Sequence, residues 1–123
     1  MSFFRRAIRI VGNWFWIRVL PPYELVVVEE SLPRSLKRGI LYIVQEDGYV
    51  EQAAMICPCG CREILHMNMF PDERPCWSLL KHDDGSYSLR PSVWRMKGCR
   101  SHFWFRNNRI HWCNNSGPWW NRL

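Results

Sequence analysis

The chain has 123 residues and a formal charge of +6, with 47% hydrophobic and 23% charged residues. That length suits one domain with one core, and the composition excludes a disordered chain. It also excludes a membrane-spanning segment, because the most apolar stretch, Phe3 to Leu20, is interrupted by Arg5, Arg6, Arg9, Arg18 and Asn13.

The same stretch has neither the unbroken apolar centre nor the small-residue cleavage site of a signal peptide. The chain is therefore expected to stay in the cytoplasm, a reducing compartment where six cysteines point to metal or chemistry rather than disulfides. Phe4, Ile8, Val11 and Phe15 fall near helical spacing among the arginines. This predicts a basic amphipathic helix over residues 1–22, stopped by Pro21-Pro22. Such a helix suits docking on the domain, a lipid surface or a partner.

From Tyr23 the texture changes to that of a β domain, expected over residues 23–113. Glu24 to Val28 is β-branched and reads as a strand, and Leu32-Pro33 makes a corner. Gly39 to Val44 reads as a second strand, and Tyr49 to Ile56 returns after the Asp47-Gly48 turn. Ile64 to Phe70 suits a strand or a short helix, ended by Pro71-Asp72. Two hairpins follow: Trp77 to Lys81 with Tyr87 to Arg90, and Ser101 to Phe105 with Arg109 to Cys113. Residues 114–123 read as a turn-rich tail. The expected fold is mainly β: a small antiparallel sheet or sandwich stapled by a structural zinc ion, with one N-terminal helix.

The zinc expectation rests on Cys57-Pro58-Cys59-Gly60-Cys61. Thiolates suit zinc, at about 2.3 Å from sulfur to metal, which sets sulfurs about 4 Å apart. Alternate residues of a flat strand stand about 6.6 Å apart, so the chain must bend here. Pro58 and Gly60 are the residues that would let it. A Cys-x-Cys disulfide would be strained, which further favours metal. Cys99-Arg100-Ser101-His102 offers the remaining ligands. The expected set is Cys57, Cys59, Cys61 and Cys99, with His102 able to replace one of them. Cys76 and Cys113 are expected to be core thiols.

The last hairpin constrains His102. With Asn107-Asn108 as a two-residue turn, His102 faces Cys113 and Trp104 faces His111 on one side of the ribbon. Ser101, Phe103, Ile110 and Trp112 then share the other. Ser101 is thus poorly placed to work with His102, and a partner serine would come from another segment, Ser92 being the nearest in sequence.

Taken in order, Gly39-Ile40-Leu41-Tyr42, Cys57-Pro58-Cys59-Gly60-Cys61, Pro91-Ser92, Cys99 to Trp104 and Arg109-Ile110-His111-Trp112 carry a resemblance. The stretch from Leu32 to Cys113 resembles a family of short zinc-binding bacterial proteins associated with operons for ubiquitination-like conjugation. The sequence departs from that pattern at Met55, where many relatives have histidine, and at Val93-Trp94-Arg95, where many have Gly-Asn-Trp. The resemblance implies a zinc-supported β domain. It also implies a peptidase that trims the C-terminal tail of a ubiquitin-like protein or removes it from targets. The implied partners are that tail and other proteins of the conjugation operon.

An acyl hydrolase needs a nucleophile, a base and an orienting group. The candidates are Ser92 as nucleophile, His102 as base and Glu46, which matches a glutamate of the family pattern, as the orienting group. Ser101 belongs to the candidate set, with backbone hydrogen bonding as its alternative role. In a second arrangement His102 helps bind zinc and Glu46 activates a metal-bound water. A cysteine-rich ligand set argues against this, because closed thiolate sites are structural. Two other functions compete with hydrolysis: non-catalytic capture of the tail as an added strand, and nucleic-acid binding through the positive charge and the tryptophans. The basic residues are scattered and the cysteine spacing is not that of a finger, so neither nucleic acid nor membrane is expected as a partner.

Overall fold

A computed structural model describes residues 21–113. The expected N-terminal helix and C-terminal tail lie outside these residues. Nine strands are described: β1 (Glu24–Glu29), β2 (Ile40–Glu46), β3 (Tyr49–Ile56), β4 (Ile64–Asn68), β5 (Ser78–Lys81), β6 (Tyr87–Arg90), β7 (Val93–Trp94), β8 (His102–Arg106) and β9 (Arg109–Trp112). They form a four-stranded sheet ordered β1-β2-β3-β4, a ribbon β5-β6 and a three-stranded sheet β7-β8-β9. No helix occurs among the described residues.

The first sheet corrects the expectation of a purely antiparallel arrangement, since β1 pairs with β2 in parallel. Residues 30–39 carry the chain back to the start of β1 before β2 begins. That crossover also covers one face of β2, where the Lys37 N–H donates to Tyr42 Oη at 2.8 Å. With Leu41 and Ile43 in the core on the other face, residues 41–44 are all buried, although covered strands are more often expected in fully parallel sheets. The segment from Ile64, left between strand and helix by its sequence, is β4, with Leu65 and Met67 turned inward in strict alternation.

Two turns explain the local order. Asp47 and Gly48 have φ of 51° and 80°, and Asn107 and Asn108 have φ of 51° and 61°. Two consecutive left-handed residues match the twist of a tight hairpin, and Asn and Asp tolerate that region better than other side chains. The core joins the sheets through Leu41, Met55, Met67, Leu89, Phe103 and Phe105, all essentially inaccessible. Each large side chain so buried contributes about 1.5–3 kcal/mol.

The tip of the last hairpin locks the sheets together. Asn108 accepts the Tyr23 N–H on its carbonyl at 2.6 Å and returns its side-chain amide to the Tyr23 carbonyl at 3.0 Å. It also exchanges bonds with Tyr87, donating its N–H to the Tyr87 carbonyl at 2.9 Å and accepting the Tyr87 N–H on Oδ1 at 2.7 Å. The Tyr23 ring meets Phe105 edge-on at 5.5 Å. The starts of β1 and β6 are thereby bound to one turn.

Candidate active site and thiol cluster

β3 ends at Ile56, and the chain turns at once into the cysteine segment. Gly60 has φ of 98° and Arg62 of 68°, so the backbone leaves extended geometry here. The bend brings Cys57 Sγ within 3.4 Å of Cys59 Sγ, about half the spacing of a flat strand. Cys99, in the loop between β7 and β8, brings its sulfur to 3.6 Å from Cys57 Sγ. The ligand atoms of Cys57, Cys59, Cys61 and Cys99 all lie within 4.8 Å of one another. Four sulfurs at that spacing fit one tetrahedral ion such as zinc.

The surroundings of the cluster favour thiolate at Cys99. Ser101, 1% exposed, sets its hydroxyl 3.1 Å from Cys99 Sγ and 3.6 Å from Cys57 Sγ. The Cys61 N–H donates to Cys59 Sγ at 3.3 Å. The Arg95 guanidinium donates to Cys99 Sγ at 3.5 Å and to Cys61 Sγ at 3.7 Å. Burial opposes ionisation of Cys99, but hydrogen bonds from the Ser101 side chain and backbone, joined by those of Cys59 and Cys57, outweigh it and hold the thiol down to about 6. Burial pushes the Cys57 thiol the other way, well above its ordinary range. An ion would reverse that penalty, since a bound metal keeps its thiols deprotonated.

On the opposite face of β8 lies a second constellation. Ser92 Oγ is 2.9 Å from His102 Nε2. The Trp94 indole stacks on the His102 ring, centroids 4.7 Å apart and planes 12° apart. The Trp77 indole N–H donates to the Ser92 carbonyl at 3.3 Å, fixing the backbone under the hydroxyl. The register accounts for the meeting. Trp94 pairs with His102 and Val93 with Phe103, so Ser92 and Trp94 project on the side of His102 while Val93 joins the core.

The sequence candidates thus divide among three places. Ser92 and His102 are in hydrogen-bond reach. Ser101 sits among the thiols, on the other face of the strand from His102, so it does not contact that ring. His102 for the same reason is no part of the thiol cluster, and the alternative in which it replaces a cysteine does not match its position. Glu46 is exposed at the turn end of β2. Desolvation and then the neighbouring Glu46 carboxyl raise the Glu51 carboxyl. Among the described residues, no carboxylate hydrogen-bonds His102. Cys76 and Cys113, expected as core thiols, are half-buried and stand outside the core cluster, and the Cys76 thiol donates to the Trp77 carbonyl at 3.6 Å.

Sequence reasoning did not single out Trp94, Arg95 or Trp77 for the site. The i, i+2 spacing of Ser92 and Trp94 was a usable signal, but only once Val93–Trp94 was known to be a strand. A second serine–histidine contact was also not anticipated: His82 Nε2 and Ser88 Oγ are 2.6 Å apart across the β5–β6 ribbon.

Residues 28–113 match a family described as the bacterial ubiquitination-like system serine protease (BubE). No curated protein and no solved structure matches the chain. Among the described residues, no helix is long and apolar enough to cross a membrane.

Proposed function

The chain belongs to the BubE family, the serine proteases of bacterial ubiquitination-like systems, and from that premise we propose that it hydrolyses an acyl bond at the C-terminus of a ubiquitin-like protein. Ser92 is the nucleophile and His102 the base. The observation that carries this reading is the 2.9 Å contact between Ser92 Oγ and His102 Nε2 on an accessible face of the domain. As Oγ attacks the carbonyl carbon, Nε2 takes the hydroxyl proton. Collapse of the tetrahedral adduct breaks the bond to the leaving amine, which receives that proton from His102. Water then attacks the acyl-serine, His102 again accepting the proton, and the carboxylate product leaves with Ser92 restored.

Orientation of the imidazole falls to Trp94 in this scheme. A ring stacked at 12° holds the histidine plane where a triad would use a carboxylate. Glu46 takes no part in it, and Ser101 supports the cysteines.

Cys57, Cys59, Cys61 and Cys99 would hold a zinc ion, tying the end of β3 to the loop that leads into β8. Four thiolates complete a tetrahedral shell, so zinc supplies cross-linking and not an activated water. An abundance of free thiols supports a reducing location such as the cytoplasm. The partners of the reaction are a ubiquitin-like protein and the other members of its conjugation system.

The test is cleavage of a C-terminally extended ubiquitin-like partner from the same system. Wild-type protein is expected to release the extension, and Ser92→Ala and His102→Ala to lose about a thousandfold or more of the rate while keeping the wild-type circular dichroism. Full activity in either variant would remove that residue from the mechanism. Wild-type protein that binds the tail without cutting it would replace hydrolysis by capture.

A further inference from the structure

The outer faces of the β5–β6 ribbon and β8 bound a groove of about 720 Å³. The ribbon register places Ser78 opposite Arg90 and Leu80 opposite Ser88, so these residues share the face turned away from core residue Leu89. Trp104 and Arg106, on the His102 face of β8, form the facing wall. The groove reaches Pro91, the residue immediately before Ser92.

Its charge is of one sign. Arg90 and Arg106 line it, and no aspartate or glutamate does. Among the described residues no carboxylate pairs with Arg90 or Arg106. The Arg106 guanidinium is held over the Trp104 ring, 4.4 Å from its centroid, so its position is set before anything binds. Leu80, 40% exposed, adds an apolar surface in the same groove. A guanidinium fork matches a carboxylate better than any other peptide side chain.

We infer that this groove binds the peptide segment adjoining the scissile bond, and that Arg90 and Arg106 select an acidic side chain within it. The inference rests on Ser92 being the nucleophile of the proposed hydrolysis. Arg90 is the last residue of β6 and precedes Ser92 by two positions in the chain. The selected acid therefore lies within a few residues of the bond that is cut. Trp104 and Leu80 supply the apolar contact that holds the intervening residues.

The experiment scans a glutamate against a glutamine through successive positions of one peptide drawn from the ubiquitin-like tail. Both ends are blocked, so that the side chain is the only carboxylate that changes. Cleavage is measured with wild-type protein and binding, by fluorescence anisotropy, with Ser92→Ala. At one position glutamate is expected to exceed glutamine by about tenfold or more in both kcat/KM and affinity. Arg90→Glu, at an exposed site that the fold does not depend on, is expected to turn that preference toward lysine. Equal binding of the glutamate and glutamine peptides at every position would overturn the inference. Selective binding of the glutamate peptide without cleavage would uphold the groove and remove the hydrolytic reading. Cleavage without any preference for glutamate would do the reverse.

Discussion

Ser92 Oγ and His102 Nε2 meet at 2.9 Å because β7 and β8 pair Trp94 with His102, so a residue two places before Trp94 emerges on the same face as the imidazole. Ser88 and His82 make a similar contact at 2.6 Å, but there the hydroxyl is buried and also accepts the Asn107 N–H at 3.0 Å. Only the first hydroxyl is free of a second partner that would compete for its lone pair. A fluorophosphonate probe is accordingly expected to add one phosphonyl group per chain, at Ser92. Mass spectrometry of the labelled peptides checks this. Labelling should vanish in His102→Ala and persist in Ser88→Ala and Ser101→Ala; an adduct at Ser88 would move the nucleophile to the ribbon.

Metal content provides a second prediction. Purified protein is expected to carry one zinc per chain by elemental analysis, and a strong chelator should lower its melting temperature. Loss of an ion that joins the end of β3 to the β7–β8 loop removes several kcal/mol of folding energy. Cys57→Ser should lose both metal and stability, because it strips the most buried of the sulfurs, 2% exposed. Cys76→Ser and Cys113→Ser should keep the metal, their sulfurs lying outside the cluster.

The junction at Asn108 makes a third. Asn108→Ala removes two side-chain hydrogen bonds, to Tyr23 and Tyr87, and leaves an alanine at φ of 61°. The expected loss is about 2–4 kcal/mol, read from the urea midpoint. Asn108→Gly should recover the backbone share of that loss and not the hydrogen bonds, so it should fall between the two.

Alkaline unfolding tests Tyr23. Burial, and secondarily the nearby Cys57 sulfur, push its hydroxyl up to about 12. An unfolded tyrosine titrates near 10, so between about pH 10 and pH 12 the unfolded chain gives up a proton that the folded chain retains. Stability should be independent of this group below pH 10 and fall by about 2 kcal/mol as the pH approaches 12. Tyr23→Phe should lack that increment, measured as the difference between the two proteins' stabilities at pH 9 and pH 11.5.

Much of the strand order was legible because local chemistry dictates it. Asp47-Gly48 and Asn107-Asn108 accept left-handed backbone; the second sets the register of its whole hairpin, and the first only that of the nearest pairs, since a bulge shifts the register between Val44 and Gln45. From that register alone His102 and Ser101 part to opposite faces, and the spacing of Cys57, Cys59 and Cys61 announces a cluster of thiols. The parallel pairing of β1 was not legible, since Glu24 to Val28 reads equally well in either direction and only the path of residues 30–39 decides it. Nor was β7, too short at two residues to show a period.

The reactive groups and the strand faces from which they project can be read from the chain, because side-chain alternation and turn geometry act over a few residues. Which distant groups meet cannot. Ser92 joins His102, Ser101 joins the thiols, Arg90 joins Arg106 along one groove, and Glu46 joins none of them. Such meetings depend on how separate sheets pack over a common core of Leu41, Leu89, Phe103 and Phe105, and apolar burial is non-directional, so no local pattern encodes it.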